Sequence, residues 1–108
     1  MNEEIEIWKL IGTTATTESY VSNLGRCKTV YTASGRERIT PGIYHKYVGM
    51  RWYCHDYVHR HVAREFLPPE GSASGRVLHI DHNPENNRAD NLRWAPVPQS
   101  KIRRSPRV

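Results

Sequence analysis

The residue types best suited to chemistry are concentrated between Leu78 and Trp94, LHIDHNPENNRADNLRW, which holds two His, two Asp and four Asn. His79 closes a short apolar approach, Val77-Leu78, and is followed by Ile80, so its backbone is expected in a strand with the ring toward the loop side. The residues after it cannot fill a core. Asn and Asp side chains bond to nearby backbone groups, so Asp81, Asn83, Asn86, Asn87 and Asp90 are expected to hold an irregular loop in one shape. Asn91-Leu-Arg-Trp then resumes a strand. An isolated histidine at a strand end is most often a hydrogen-bonded structural residue; the sharper alternative is an acid–base group, because imidazole titrates near neutral pH.

A second polar run, CHDYVHRH, brings His55, Asp56, His59 and His61 together in sequence and raises the question of a metal site. Alternation in and out of a strand favours structural roles for most of them. Cys27 and Cys54, the only cysteines, are too few and too isolated for a disulfide framework or a thiolate zinc site, so no structural zinc is expected.

The elements that must position these residues can be read from pattern. NEEIEIWKLI alternates apolar and charged residues and predicts a strand, TTATTES (13–19) a loop, and YVSNLGRCKTVY a hairpin turning at Ser22–Gly25. TASGRERITPG (32–42) reads as a second loop, GIYHKYVGM (42–50) as a strand and RWYCHDYV as its returning partner. In HRHVAREFL, Val62, Ala63 and Phe66 share a helical face, and Pro68-Pro69 ends the helix. PPEGSASG is a turn before the strand RVLHI, and a short basic helix is expected after NLRW. Trp8, Trp52 and Trp94 are expected to pack rather than to stack on bases.

The chain of 108 residues fits one small domain, and 16 Lys plus Arg against 11 Asp plus Glu favour a polyanionic partner, nucleic acid first. No window approaches the roughly 18 apolar residues of a membrane helix, and MNEEIEIW lacks the features of a secretory signal, so a cytoplasmic protein with no membrane partner is expected. The tail residues Lys101, Arg103, Arg104 and Arg107, with Arg93, are expected on phosphates.

HIDHNPENNRADNLRW resembles the HNH (ββα-metal, His-Me finger) endonuclease motif, whose phage homing-type members read roughly His-x-Asp-x-Asn-x-x-Asn-Asn, then Asn-Leu-x-Trp. His79, Asp81, Asn83, Asn86, Asn87, Asn91, Leu92 and Trp94 carry the match. VHRHVAREFLPP (58–69) is similar to the element preceding that motif, in which His59 takes a structural position, and IWKLI with YVSNLGR is similar to a nuclease-associated N-terminal module.

The resemblance implies an α+β fold of small antiparallel strands with a C-terminal ββα-metal (HNH) unit. It divides the compact chain 1–108 into a module at 1–40 and an HNH region at 42–108, with the motif at 77–100. It implies a metal-dependent DNA endonuclease of low sequence specificity, phage-encoded and acting in the host cell. His79 would be the general base, Asn91 would tie down the loop and orient that base, and Asp81, Asn83 and Asn87 would support the loop. Mg²⁺ or Mn²⁺ would be the cofactor, DNA the substrate and a host or phage protein a further partner. Its metal ligands are not identified, because the chain has Leu78 immediately before the base and Ser100 nine residues after Asn91, where the family places polar ligands. Asp81, Asp90 or Gln99 could substitute, or His82 could replace His79 as base with Asp81 as ligand. The alternative is a non-catalytic HNH-fold protein that binds nucleic acid or a host protein.

Overall fold

The computed structural model of the protein describes residues 4–96; Gln99, Ser100, Lys101, Arg103, Arg104, Arg107 and the helix expected after Trp94 lie outside the described residues. Strand β1, Trp8–Thr13, pairs antiparallel with β2, Thr17–Ser22. Both enter the threonine-rich segment expected as a loop. Its β-branched side chains suit extended backbone. The Thr14 hydroxyl closes the connection by accepting the backbone N–H groups of Thr16 at 3.2 Å and Thr17 at 3.0 Å.

The expected hairpin joins β2 to β3, Cys27–Tyr31, through Ser22–Gly25. The chain then turns again and adds β4, Arg36–Thr40, completing a four-stranded sheet in the order β1-β2-β3-β4. This corrects the reading of 32–42 as a loop. β4 is an edge strand whose first four residues are exposed, so its charged sequence carries no apolar alternation.

A second sheet follows, with β5, Ile43–His45, β6, Met50–Tyr53, and β7, Asp56–Tyr57, paired antiparallel in that order. The strand expected over 42–50 is cut short by a turn in which Val48 and Gly49 donate to the carbonyl of His45 at 3.1 and 2.7 Å. The return over 51–58 is broken by Cys54 and His55, at φ 53° and 70°. Helix α1, Val58–Phe66, ends at Leu67, which is extended as the residue before a proline should be. After a 3-10 turn over Pro69–Ser74, β8, Val77–His79, pairs antiparallel with β9, Leu92–Trp94.

One cluster of buried side chains joins these parts: Val21 and Cys27 from the first sheet, Val58 and Val62 from α1, and Leu92 from β9. Burial pushes the Cys27 thiol up to about 12, as expected of a cysteine packed as a small apolar residue. Trp52 packs edge-on to Tyr57, with ring centroids 5.1 Å apart, and Trp94 donates Nε1–H to the Pro68 carbonyl at 2.9 Å. Lys28 lies over the Trp8 ring at 4.5 Å. The α+β expectation therefore holds coarsely: the described residues form small antiparallel sheets with one α-helix and short 3-10 turns.

The hairpin between β2 and β3 also docks on the polar loop. Gly25, at φ +83°, lies so close to it that an added Cβ would be 2.6 Å from the Asn87 carbonyl carbon and 2.9 Å from the Arg88 nitrogen. The Ala89 N–H donates to the Asn23 carbonyl at 2.8 Å beside this contact. Substituting Gly25→Ala combines backbone strain with a backbone clash, and is expected to cost about 1–3 kcal/mol. Thermal unfolding should show a midpoint lowered by roughly 4–8 °C per kcal/mol for a domain of this size. An unchanged midpoint would mean that the hairpin does not bear on the loop.

Candidate functional site

Antiparallel pairing of β8 with β9 sets Leu78 opposite Arg93 and His79 opposite Leu92. Directly opposed residues share a sheet face, so His79 stands beside buried Leu92 and Leu78 beside Arg93, and Leu78, His79 and Arg93 all line one cleft at this ribbon. The His79 Nε2 is 2.8 Å from Oδ1 of Asn87, a residue only 3% exposed. A carboxamide oxygen accepts only, so Nε2 carries a proton, and in the neutral ring Nδ1 then keeps its lone pair. Among the described residues, the His79 Nδ1 has no hydrogen-bond partner.

The loop between the strands is built from its own polar side chains. Asn91, buried just before β9, accepts the Asp81 N–H through Oδ1 at 3.1 Å. Its Nδ2 donates to Asp81 Oδ1 at 2.9 Å and to the Asn86 carbonyl at 2.8 Å. Asp81 also accepts from Asn86 Nδ2 at 2.9 Å and from the Asn83 N–H at 2.8 Å. These amide donors, Asn86 foremost, hold its carboxyl down to about 2. Asn83 in turn accepts the Glu85 N–H at 3.0 Å. Asn91, Asp81, Asn83 and Asn86 thus form one network. The described contact to the His79 ring comes from Asn87, while Asn91, expected to tie down the loop and orient the base, bonds to the loop itself.

An open cleft of about 810 Å³ runs beside His79 and is lined also by His59, His82, Arg60, Arg76 and Arg93. His59, expected in a structural position, lines this cleft. Its ring lies 5.1 Å from that of His79 and stacks on Tyr57, it is only 5% exposed, and its Nδ1 has no partner among the described residues. Burial, reinforced by His79, pushes it down to about 4. The sequence signals for it were its place in the CHDYVHRH run and in the VHRHVAREFLPP element, at the first turn of an amphipathic helix. Arg76 gave no signal at all.

The other members of the second polar run do structural work. Asp56 is paired with Arg64 at 3.0 Å and Arg60 at 3.6 Å. His61 Nε2 donates to the Tyr53 carbonyl at 2.7 Å, and its Nδ1 accepts from Arg64 at 3.0 Å. Among the described residues, no group of three or more His, Cys, Asp or Glu could hold a metal ion.

Of the substitutes expected for a Mg²⁺ or Mn²⁺ shell, Gln99 lies outside the described residues, and the others fare no better. Leu78 has no lone pair, both Asp81 oxygens are engaged within the loop, and Asp90 is paired with Arg88 at 3.1 Å. His82 lines the cleft at φ +65°, next to Asp81, whose carboxylate already accepts three hydrogen bonds within the loop. The described residues therefore do not fit a divalent-ion shell.

Residues 56–100 match a family model described as HNH endonuclease. The matched span contains β7, α1, β8, the polar loop and β9, so the HNH-like region occupies the C-terminal part of the chain. No curated protein and no solved structure matches the chain.

The shielded histidines make stability depend on pH. An unfolded histidine titrates near 6.5, whereas folded His59 titrates at about 4. Between those values the unfolded chain binds a proton that the folded chain does not, so stability is full above about 6.5 and declines as pH falls toward 4. Burial shifts His61 in the same direction. Melting the wild type at a series of values from about pH 7.5 to 5 should show a falling midpoint, and His59→Gln should flatten that fall. Equal slopes for the two proteins would show that His59 is not shielded.

Proposed function

We propose that the chain is an HNH-type endonuclease that hydrolyses DNA phosphodiester bonds, with His79 as its general base. The observation that carries this reading is the bond from the His79 Nε2–H to the buried Asn87 carboxamide, which leaves Nδ1 as a base in a cleft with three arginines. A fixed tautomer and ring orientation are what a general base requires. The match of residues 56–100 to the HNH endonuclease model supports the reaction class.

In this reading, His79 takes a proton from a water whose oxygen bonds to phosphorus. The bond from phosphorus to the leaving ester oxygen breaks, and that oxygen takes a proton from solvent in the open cleft. A diester and water become a monoester and an alcohol, and His79 returns its proton to solvent. Asn87 acts through the ring as a positioning residue. Asn91 and Asp81 keep the loop that presents Asn87 in shape. Arg93 and the net charge of +5 bring the polyanion to the cleft. Because arginine contacts to phosphate carry no base information, low sequence specificity is expected.

Nicking of supercoiled plasmid tests the assignment. His79→Ala should lower the rate by about 10²- to 10⁴-fold, the usual contribution of a placed base. Asn87→Asp keeps an acceptor for Nε2–H and should retain much more activity than Asn87→Ala. A His79→Ala protein that nicks as fast as the wild type would remove His79 from the reaction.

A further inference from the structure

Three cationic side chains converge on the cleft from separate parts of the chain: Arg60 from α1, Arg76 from just before β8, and Arg93 from β9. Among the described residues, Arg76 and Arg93 have no carboxylate partner, and the ion pair of Arg60 is a half-exposed one to Asp56 at 3.6 Å. Most other arginines of the fold are committed. Arg26 pairs with Glu6, Arg51 with Glu85, Arg64 with Asp56, and Arg88 with Glu4 and Asp90. Of the described arginines without a carboxylate partner, Arg76 and Arg93 line the cleft beside His79, and Arg36 and Arg38 lie on the exposed strand β4.

The placement of the cleft arginines bears on the lack of a divalent-ion shell among the described residues. The residue before His79 is Leu78, and directly across the ladder from it stands Arg93. An oxygen ligand is absent there, and the facing side chain is a permanent cation that would repel a divalent ion and pair with a phosphate oxygen instead. The nearby carboxylates cannot compete for the arginines, since Asp81 is bound within its loop and Asp90 is held by Arg88. His59 is kept neutral by burial and adds no charge of its own.

We infer that this cleft is a phosphodiester-binding site in which Arg76 and Arg93, flanked by Arg60, hold the phosphate oxygens without a divalent ion. The planar fork of a guanidinium matches two phosphate oxygens at once, and fixed donors beside the phosphorus stabilise charge as it grows during attack. The inference deepens the nuclease reading as to chemistry, while as to binding it stands on the cleft alone.

The test uses the full chain, a short DNA duplex and supercoiled plasmid, each with EDTA or with Mg²⁺. The wild type should bind the duplex at least as tightly in EDTA as in Mg²⁺, which competes for the phosphates, and should nick plasmid in EDTA. Arg76→Ala with Arg93→Ala should weaken binding by about tenfold or more and lower the dependence of log affinity on log salt by roughly 2, one for each lost phosphate contact. Arg36→Ala with Arg38→Ala removes the same charge from exposed edge strand β4 and should change binding far less. Melting curves of both double variants should match the wild type, since all four side chains are exposed.

Equal losses in the two double variants would overturn the site, leaving only general charge attraction. Nicking that needs Mg²⁺ would overturn the ion-free assignment while the nuclease reading stands. No nicking in either buffer, with binding still dependent on Arg76 and Arg93 in EDTA, would end the nuclease reading and keep the phosphate site.

Discussion

The buried carboxamide of Asn91 is the group on which the polar loop closes. In a low-dielectric setting an unpaired amide costs about 1–3 kcal/mol, so its burial is tolerable only with its hydrogen bonds made. Here Oδ1 takes one backbone N–H and Nδ2 gives both its protons, one to Asp81 and one to the Asn86 carbonyl. Those three bonds draw the start and the end of the loop together at the root of β8 and β9. Ile80 adds a backbone bond to the Asn91 carbonyl at 2.8 Å, so the strands are clamped where the histidine leaves the sheet.

Given that clamp, the position of Asn87 follows from packing. It is pressed between the loop interior and the hairpin turn of the first sheet, where Gly25 has no side chain and Asn23 accepts the Ala89 N–H. Asn23 is itself locked, receiving the Ile7 N–H at 2.7 Å on its side chain. A chain of short contacts thus runs from the N-terminal strand region through Asn23 and Gly25 to Asn87 and then to His79. The first sheet matters to the candidate site because it holds the residue that sets the imidazole tautomer, although none of its side chains touches the ring.

Much of this was legible because the residues declare it. A run of Asn and Asp after a short apolar approach can only be a self-bonded loop, and Pro68-Pro69 marks the end of α1. β4 was not legible, since an exposed edge strand carries charge where a half-buried one would alternate. Nor could linear sequence separate Asn87 from Asn91. The two carboxamides have identical chemistry, and which one meets the imidazole depends on how the loop folds back and what presses on it from the hairpin. Arg76 was silent for a similar reason: it gains meaning only when α1 is laid against β8 and β9, bringing Arg60 and Arg93 to the same cleft.

Leu78 and Arg93 are best understood as a pair. An acidic residue at position 78 would face the guanidinium across the ladder at a separation where side chains meet, and would be neutralised by it. An ion coordinated there would in turn sit against a fixed positive charge. Leucine avoids both conflicts: its apolar surface can lie against the methylene stem of the arginine and leave the guanidinium free for an anion. The identity of one residue therefore constrains the other, and together they set the electrostatic character of the cleft. A cleft that gathers unpaired arginines next to a tautomer-locked imidazole is organised to receive a polyanion and to keep a base available beside it.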